Sequence, residues 1–524
     1  MMTFASLSRR QFLAACCASG LSLALPGCAR DLPLRKEDFP DFGDSNRPYL
    51  GMATSLRREF DYEASVEGRI PPSLRGTLYR NGPGLFDRGG LRKRTLIDGD
   101  GMVQSFCFDD RGVRYRNRFV RTPKFIEEEA AGCFTRPTWS TQAPGGWLAN
   151  IWRAGDVISQ AGISVVFWRG KLFAFDESSL PFEIDPETLA TVGETSFGLP
   201  RDLTTYSGHP KLDPATGEWL HFGVRHGPSP EIHLTAFGSD GRLTGHRSFP
   251  LPRYVYMHDW FVTRRHAIIN LHPLEISVWG FLLGRRSLAD SLRWQPQKGT
   301  LLMVIDRHSE SPPLLLETEA RFMWHSINAV ERGNEIVADF VGYRNPDHIV
   351  GSDPFIFAAM EGRPGEHRWP GEIRRYRIDL NRRKASQEIT YAGRCEWPRI
   401  NDRLLLAPYR YAYVAESRPG EFFWSGITRF DITSGRVEQF WFPAGVYCCE
   451  PNFVPLPGYR YSAEGAEPGW VLTEIYDSTT RTSSLAVLDA ERTSAGPIAT
   501  VCLTHHVPFS YHGWWRPAPQ KPAL

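Results

Sequence analysis

The sequence predicts an all-β fold, a β-propeller of radially repeated four-stranded blades, on three observations. About one residue in six is glycine or proline, 47 and 40 of 524, against roughly one in eight in an average chain. That excess fits many turns and argues against a helical bundle. Short alternating or β-branched runs recur, each bounded by Gly, Pro, Asp or Asn, which is the pattern of antiparallel strands joined by hairpins. No Pro/Ser-rich linker divides the chain. A length that alone suggests about three domains therefore fits one large unit, and propellers reach this length. No literal repeat of about 40–45 residues is visible, so the prediction rests on turn density and strand pattern.

The first element is an address. Residues 8–13, Ser-Arg-Arg-Gln-Phe-Leu, precede the small apolar run Ala14 to Leu25. Paired arginines before a short apolar stretch are the mark of twin-arginine export, and the run is too short and too rich in Ala, Ser and Gly to span a bilayer. It ends in Leu25-Pro26-Gly27-Cys28, which resembles a lipoprotein cleavage box with Cys28 lipidated, Pro26 being an unusual occupant. The alternative is ordinary signal cleavage with Cys28 incidental. Residues 1–28 are expected to be the leader and 29–524 the propeller. The mature protein is then exported or periplasmic, and membrane-anchored if Cys28 carries lipid. Folded export of this kind can deliver a protein with its cofactor already loaded.

Strands come next. Ser164–Trp168 and Lys171–Phe175 flank an Arg169-Gly170 turn, and Trp219–Val224, Glu335–Phe340, Trp470–Tyr476 and Ser484–Leu488 read the same way. Turn signals stand at Asp185-Pro186, Asp213 to Gly217 and Asp240-Gly241. The better short helix candidates are Ile126–Ala131 and Ser287–Trp294. Trp279-Gly-Phe-Leu-Leu283 is an apolar segment that suits either a membrane-dipping loop or a buried helix or lid.

Composition excludes several classes. Lys+Arg 61 against Asp+Glu 59 gives a net charge of +2, whereas nucleic-acid binders carry a basic excess. Aromatics at 13% and hydrophobics at 41% exclude global disorder and supply a large core. No apolar run of about 18 residues follows the leader, which excludes a multi-pass helical membrane protein. Three of nine cysteines fall in the leader region, Cys16, Cys17 and Cys28. The six others form no Cys-x-x-Cys pair, so zinc ribbons and thioredoxin-type chemistry drop out. An oxidising compartment permits disulfides, but the spacing specifies no pairing.

The fifteen histidines carry the chemistry. His226, His246, His266, His308, His348 and His367 have polar or basic neighbours and read as solvated surface. His209, His258, His325 and His512 sit beside turn or aromatic residues at the edge of strand-like runs, in Ser-Gly-His-Pro, Tyr-Met-His-Asp-Trp, Met-Trp-His-Ser-Ile-Asn and Ser-Tyr-His-Gly-Trp. Their separations of 49, 67 and 187 residues exceed those of ligands on one helix or finger. Only a closed fold that brings strand ends to one axis could gather them. Spacing alone does not select these four; His221, His233, His272, His505 and His506 would serve equally well.

The selection comes from a resemblance. Tyr79-Arg-Asn-Gly-Pro-Gly84, Asp98-Gly-Asp-Gly-Met102, Phe182-Glu-Ile-Asp-Pro, Gly208-His-Pro210, Met257-His-Asp259, His325-Ser-Ile-Asn-Ala329, Glu396-Trp-Pro-Arg-Ile400, Glu450-Pro-Asn-Phe-Val-Pro455 and Val507-Pro-Phe-Ser-Tyr-His-Gly513 resemble, in order, the motifs of the carotenoid cleavage oxygenase family, which includes bacterial lignostilbene dioxygenases. The resemblance implies a seven-bladed propeller with a loop and short-helix cap over one axial Fe(2+) per chain, held by His209, His258, His325 and His512. It implies that Glu177 orients His258, Glu396 orients His325 and Glu450 orients His512. This agrees with the general rule that a ligating imidazole donates its other N–H to a carboxylate. The implied reaction is cleavage of a conjugated carbon–carbon double bond by O2 into two carbonyl products, without a reducing co-substrate. Arg94, Thr95 and Leu96 stand where relatives often carry a histidine before the Asp-Gly-Asp-Gly-Met run. That departure bears on substrate choice and leaves the iron ligands untouched.

The expected partners are O2 and a small apolar or aromatic alkene, either a stilbene or phenylpropene or a carotenoid or apocarotenoid, with no nucleic acid. Lys124 falls where stilbene-cleaving relatives hold the phenol oxygen, although no tyrosine partner stands between Leu91 and Met102. A lipid anchor or the Trp279–Leu283 segment would bring the enzyme to a membrane. Two other readings compete: a non-catalytic periplasmic propeller binding carotenoid or aromatic ligands, and a calcium-dependent hydrolytic propeller. The latter would need carboxylate and Asn ligands on the axis.

Overall fold

The computed structural model describes residues 32–35, 44, 46–151, 153, 158–177, 179–201, 205–227, 229–351, 354–363 and 365–519; the leader and Cys28 lie outside them. Five four-stranded antiparallel sheets follow one another, at 164–194, 211–250, 261–318, 322–391 and 395–441, and a ten-stranded sheet joins strands from both ends of the chain. Within each four-stranded sheet the strands pair in chain order, as expected of propeller blades. In the third, the excursion 274–298 leaves between the second and third strands.

Local chemistry explains the hairpins. Arg169 and Gly170 both take left-handed backbone, φ 52° and 79°, the two-residue turn whose twist matches its flanking strands. Period-two alternation holds in Val113–Phe119, where Val113, Tyr115, Asn117 and Phe119 are buried and the residues between them are less so, as a half-buried strand requires.

Aromatic packing joins neighbouring sheets. Phe173, Phe175, Tyr206, Trp219 and Phe237 interlock between the 164–194 and 211–250 sheets, with Trp168 and Trp219 ring centres 4.3 Å apart. Burial of each such ring contributes about 1.5–3 kcal/mol. The two ends of the chain are zipped together. Strand Asp61–Gly68 pairs with Pro497–Cys502 through Ser65–Gly68 and with Val113–Phe119 through Asp61–Ala64. Strand Gly76–Leu85 pairs with both Asp100–Phe108 and Gly513–Pro517.

The helices are short. Helix Pro123–Ala131 extends the expected Ile126–Ala131; the Thr122 side chain caps it by accepting from the Phe125 N–H, and Gly132 ends it at φ 66°, the usual start and stop chemistry. The expected helix Ser287–Trp294 is only a 3-10 turn, Ala289–Ser291. Leu292–Trp294 instead forms a strand against Leu274–Ile276, where pairing and burial of Leu292 outweigh helical propensity. Val278–Leu282 is a helix on the surface, with Trp279 67% exposed and none of its residues buried, which rules out the buried-helix reading of that segment. None of the six cysteines outside the leader is in a disulfide.

Candidate metal centre

The four singled-out histidines converge. His209 lies just before strand Lys211–Leu212, His258 before Phe261–Val262, His512 before Gly513–Pro517, and His325 within Phe322–Arg332. Each of these strands is an edge strand, and each belongs to a different sheet. The pairing register of Phe322–Arg332 slips between Met323 and Ser326. Such a bulge re-aims a side chain, here His325. A second slip lies between Glu396 and Arg399, and Trp397 between them takes φ 57°.

The ligand atoms of the four rings all lie within 4.8 Å of one another. Successive Nε2···Nε2 separations are 2.9 Å for His209–His258, 3.2 Å for His258–His325 and 3.2 Å for His325–His512. On the outer side, His258 Nδ1 meets Glu177, His325 Nδ1 meets Glu396 at 2.5 Å and His512 Nδ1 meets Glu450 at 2.8 Å. A carboxylate acceptor at Nδ1 fixes the proton there and leaves Nε2 as a lone pair. Three such lone pairs, with His209 beside them, point at one another and repel unless a cation lies between them. The donor set therefore fits a divalent first-row metal, imidazole suiting iron as it does zinc, copper and nickel.

Burial keeps most of these rings uncharged. It pushes His325 down to about 3 and His512 to about 4, and together with the neighbouring imidazoles it holds His209 well below its ordinary range. At His258 burial acts the same way, but the Glu177 carboxylate outweighs it and the net shift is upward. The carboxylates differ as well. Burial raises Glu396 to about 8. Burial also works to raise Glu450, but Arg399 and His512 hold it well below the usual carboxylate range.

A shell of polar residues holds this arrangement, most of it absent from the sequence reading. Both oxygens of Glu450 are used: Oε1 by His512, and Oε2 by the Asn452 side chain at 2.7 Å and the Gly513 N–H at 2.8 Å. Arg80, fully buried, donates to Asn452 Oδ1 at 2.8 Å and the Glu450 carbonyl at 3.1 Å, and pairs with Glu474 at 2.8 Å. Asp259 accepts from the Ser326 N–H and hydroxyl, both at 2.7 Å, and from Lys211 at 2.8 Å, which ties the His258 segment to the His325 strand. Arg80, Asp259, Ser326 and Asn452 all fall inside the motifs quoted above, so the signal was their place in those motifs. Lys211 lies just outside them, directly after Gly208-His-Pro210.

Beside the cluster lies a cavity reached by His258, His325 and His512 and walled largely by aromatic rings, among them Trp324, Tyr343, Trp397, Phe422 and Trp424. A second, more polar space reaches His209, His325 and His512 past Lys211, Asp259, Arg399 and Asp402. Two expectations are corrected here. His348 and His367 are not solvated surface: they are 6% and 5% exposed and line the aromatic cavity. Lys124 does not line it. Its ammonium is buried in an ion pair with Asp100 at 2.6 Å and Glu128 at 2.9 Å, because the i,i+4 spacing on helix Pro123–Ala131 turns Lys124 towards Glu128.

A mostly β scaffold that gathers four histidines, three of them backed by carboxylates and three of them reaching an aromatic cavity, defines a non-haem metalloenzyme for apolar substrates. The chain belongs to the carotenoid oxygenase family: the family model described as retinal pigment epithelial membrane protein matches residues 53–517. It is 30% identical to apocarotenoid-15,15'-oxygenase of Synechocystis sp. over 485 residues, 90% of this chain and 96% of that one. It is 28% identical to isoeugenol monooxygenase of Pseudomonas nitroreducens over 499 residues, 90% and 99% of the two chains. Among solved structures, cobalt-substituted Synechocystis apocarotenoid oxygenase superposes with a TM-score of 0.83 at 29% identity, covering 90% of this chain and 99% of that one.

Proposed function

We propose that this protein is an Fe(II)-dependent oxygenase that cleaves a conjugated carbon–carbon double bond, taking up one O2 and releasing two carbonyl products. The observation that carries the reading is the convergence of imidazole nitrogens 2.9–3.2 Å apart with carboxylates behind three of the rings. The mass balance closes without a reductant, since each alkene carbon receives one oxygen atom. His209, His258, His325 and His512 would hold the iron, which supplies O2 activation; Glu177, Glu396 and Glu450 hold three of the rings in the tautomer that offers Nε2. The aromatic walls exclude water and lay a planar conjugated chain alongside the centre, stacking contributing about 0.5–1.5 kcal/mol per ring pair. A non-catalytic propeller has no use for converging lone pairs, and a calcium site would need oxygen ligands; neither alternative is favoured.

The substrate class we favour is a small aromatic alkene or an apocarotenoid, in line with the aromatic lining of the cavity and with relatives named for isoeugenol and apocarotenoid chemistry. We further read the sheets as seven blades, five four-stranded and two sharing strand Asp61–Gly68 within the ten-stranded sheet, with the segments bearing Leu96, Ile97 and Ile356 capping the cavity. Residues 1–28 are proposed as the export segment ahead of one unit, 29–524, with cleavage before Cys28 where that residue carries a lipid anchor. The exposed Trp279 and Leu282, beside a side cavity that includes Phe281 and shares Ile97 and Glu177 with the aromatic one, suit contact with a membrane. The test is an aerobic assay of iron-loaded protein against a carotenoid, an apocarotenoid, a hydroxystilbene and a phenylpropene, with products identified by mass. About one iron per chain and paired aldehydes or ketones are expected; a folded chain without iron, or intact substrates throughout, would sink the proposal.

A further inference from the structure

The aromatic cavity holds two polar side chains away from the metal centre that the reaction as described does not use. His348 lies beyond Trp324: the Trp324 ring is 4.8 Å from His258 on one side and 6.0 Å from His348 on the other, centre to centre. His367 follows at 5.5 Å from His348 and stacks on Phe422 at 5.5 Å. Both rings are walled by aromatics, Tyr343 against His348 at 4.7 Å and Phe355 against His367 at 5.6 Å.

Their hydrogen-bonding capacity is unspent. The Trp324 indole N–H donates to His348 Nε2 at 2.7 Å, which places the His348 proton on Nδ1. That Nδ1 has no partner; His367 makes no hydrogen bond of good geometry through either nitrogen, although the Phe422 carbonyl lies near enough to favour a proton on its ring. Burial keeps the rings neutral: it holds His348 well below its ordinary range and brings His367 to about 4, with Arg394 adding to the shift and the Phe422 backbone opposing it. A neutral His367 carries one donor and one acceptor. The pair thus offers a free donor on His348 and a free acceptor on His367 inside an apolar chamber, the complement of a hydroxyl group, which both accepts and donates. Buried polar atoms left unpaired are costly and rare, so a group that pairs them gains selectivity over one that cannot.

We propose that His348 and His367 form a hydroxyl-recognition site at the far end of the cavity, so that the preferred substrate is a conjugated alkene carrying an alcohol or phenol. The proposal rests on the oxygenase reading for the word substrate, but the recognition itself is a binding property. The oxygen anchored at this end fixes how far the chain extends towards His258 and hence which double bond meets the centre.

The test measures binding without turnover. Iron-loaded protein is titrated anaerobically with 4-hydroxystilbene against stilbene, and with a ring-hydroxylated apocarotenal against its unhydroxylated counterpart, following quenching of tryptophan fluorescence. Wild type is expected to bind the hydroxylated member of one pair about 10–100-fold more tightly, and whichever pair shows this names the source. His367→Phe, which keeps the stack on Phe422, should erase the preference by weakening only the hydroxylated ligand; His367→Gln, which restores a donor and an acceptor, should recover part of it. Equal binding within both pairs, no binding of any of the four, or a preference that survives His367→Phe would overturn the proposal. Selective binding of a hydroxylated alkene that is never cleaved in air would refute the oxygenase reading and leave the recognition pair standing.

Discussion

Glu450 is the most constrained of the three carboxylates. Its two oxygens take three hydrogen bonds and Arg399 Nη1 lies 3.8 Å away, so it cannot follow a change in its partner. Replacing it by glutamine removes the charge and one acceptor while leaving the shape, and iron affinity or turnover should fall about 10–100-fold; metal analysis and kcat/KM check this, and unchanged values would remove Glu450 from its role. Exchanging any one of His209, His258, His325 and His512 for Ala should lower the iron content, and a variant that keeps a full complement would exclude that ring as a ligand. Glu467 makes a prediction of the opposite kind. It is fully buried with both oxygens unpartnered, and burial raises it from 4.5 to about 7, against the pull of Arg429 and Arg410. The folded protein then holds a proton that the unfolded chain releases between those values, so stability is present below about pH 4.5 and is lost as pH rises towards 7, by up to about 3 kcal/mol. Glu467→Gln should match wild type in urea melts near pH 4.5 and exceed it at pH 8; a variant less stable at pH 8 would show that the carboxylate has a hidden partner. At this scale the ligand histidines were legible because each sits in a motif. His348 and His367 were not, because polar sequence neighbours say nothing about the rings that surround a side chain in space.

Among the elements, helix Pro123–Ala131 is the one whose role changed. Of its length only Ile126–Ala131 was readable from the sequence; the structure adds the first turn from Pro123 and the caps Thr122 and Gly132. The direction of Lys124 was not readable, because it depends on Asp100, which arrives from another strand. Lys124→Met should strand Asp100 and Glu128 as buried charges, leaving Asp100 to Arg88 and Glu128 to the Thr135 and Arg136 amides, at a cost of about 3–5 kcal/mol. The fall in thermal midpoint should come with no change in the ratio of kcat/KM for phenolic and non-phenolic alkenes; a changed ratio at unchanged stability would return Lys124 to the substrate. The strands were legible for the same reason the helix was, since alternation and turn residues are local. The bulges at His325 and Glu396 were not, because a register slip is set by two strands together and leaves no mark in either one alone.

For the molecule as a whole, the ring of sheets is held in two ways. Hydrogen bonding of Asp61–Gly68 to Pro497–Cys502 and of Gly76–Leu85 to Gly513–Pro517 joins the chain ends, a long-range pairing that turn density could suggest but could not locate. The centre is the second tie. His209, His258, His325 and His512 come from four sheets, the ten-stranded one among them, so an ion bound by all four adds to the side-chain packing and the few polar ties, such as Lys211–Asp259–Ser326, that join those sheets. An ion that binds the folded state alone adds about 4 kcal/mol when present at 1,000 times its dissociation constant. Chelation should therefore lower the thermal midpoint of the whole chain by a few degrees as one transition, because the ligands do not belong to any single sheet, and restoring iron should bring it back. A local transition with an unmoved main midpoint would mean that the four rings are held by their own sheets and the metal ties nothing together. Asp259→Asn offers the control within the protein. It weakens the Lys211 link between the His209 and His258 sheets, and so should lower the midpoint in the chelated protein as well as in the iron-loaded one.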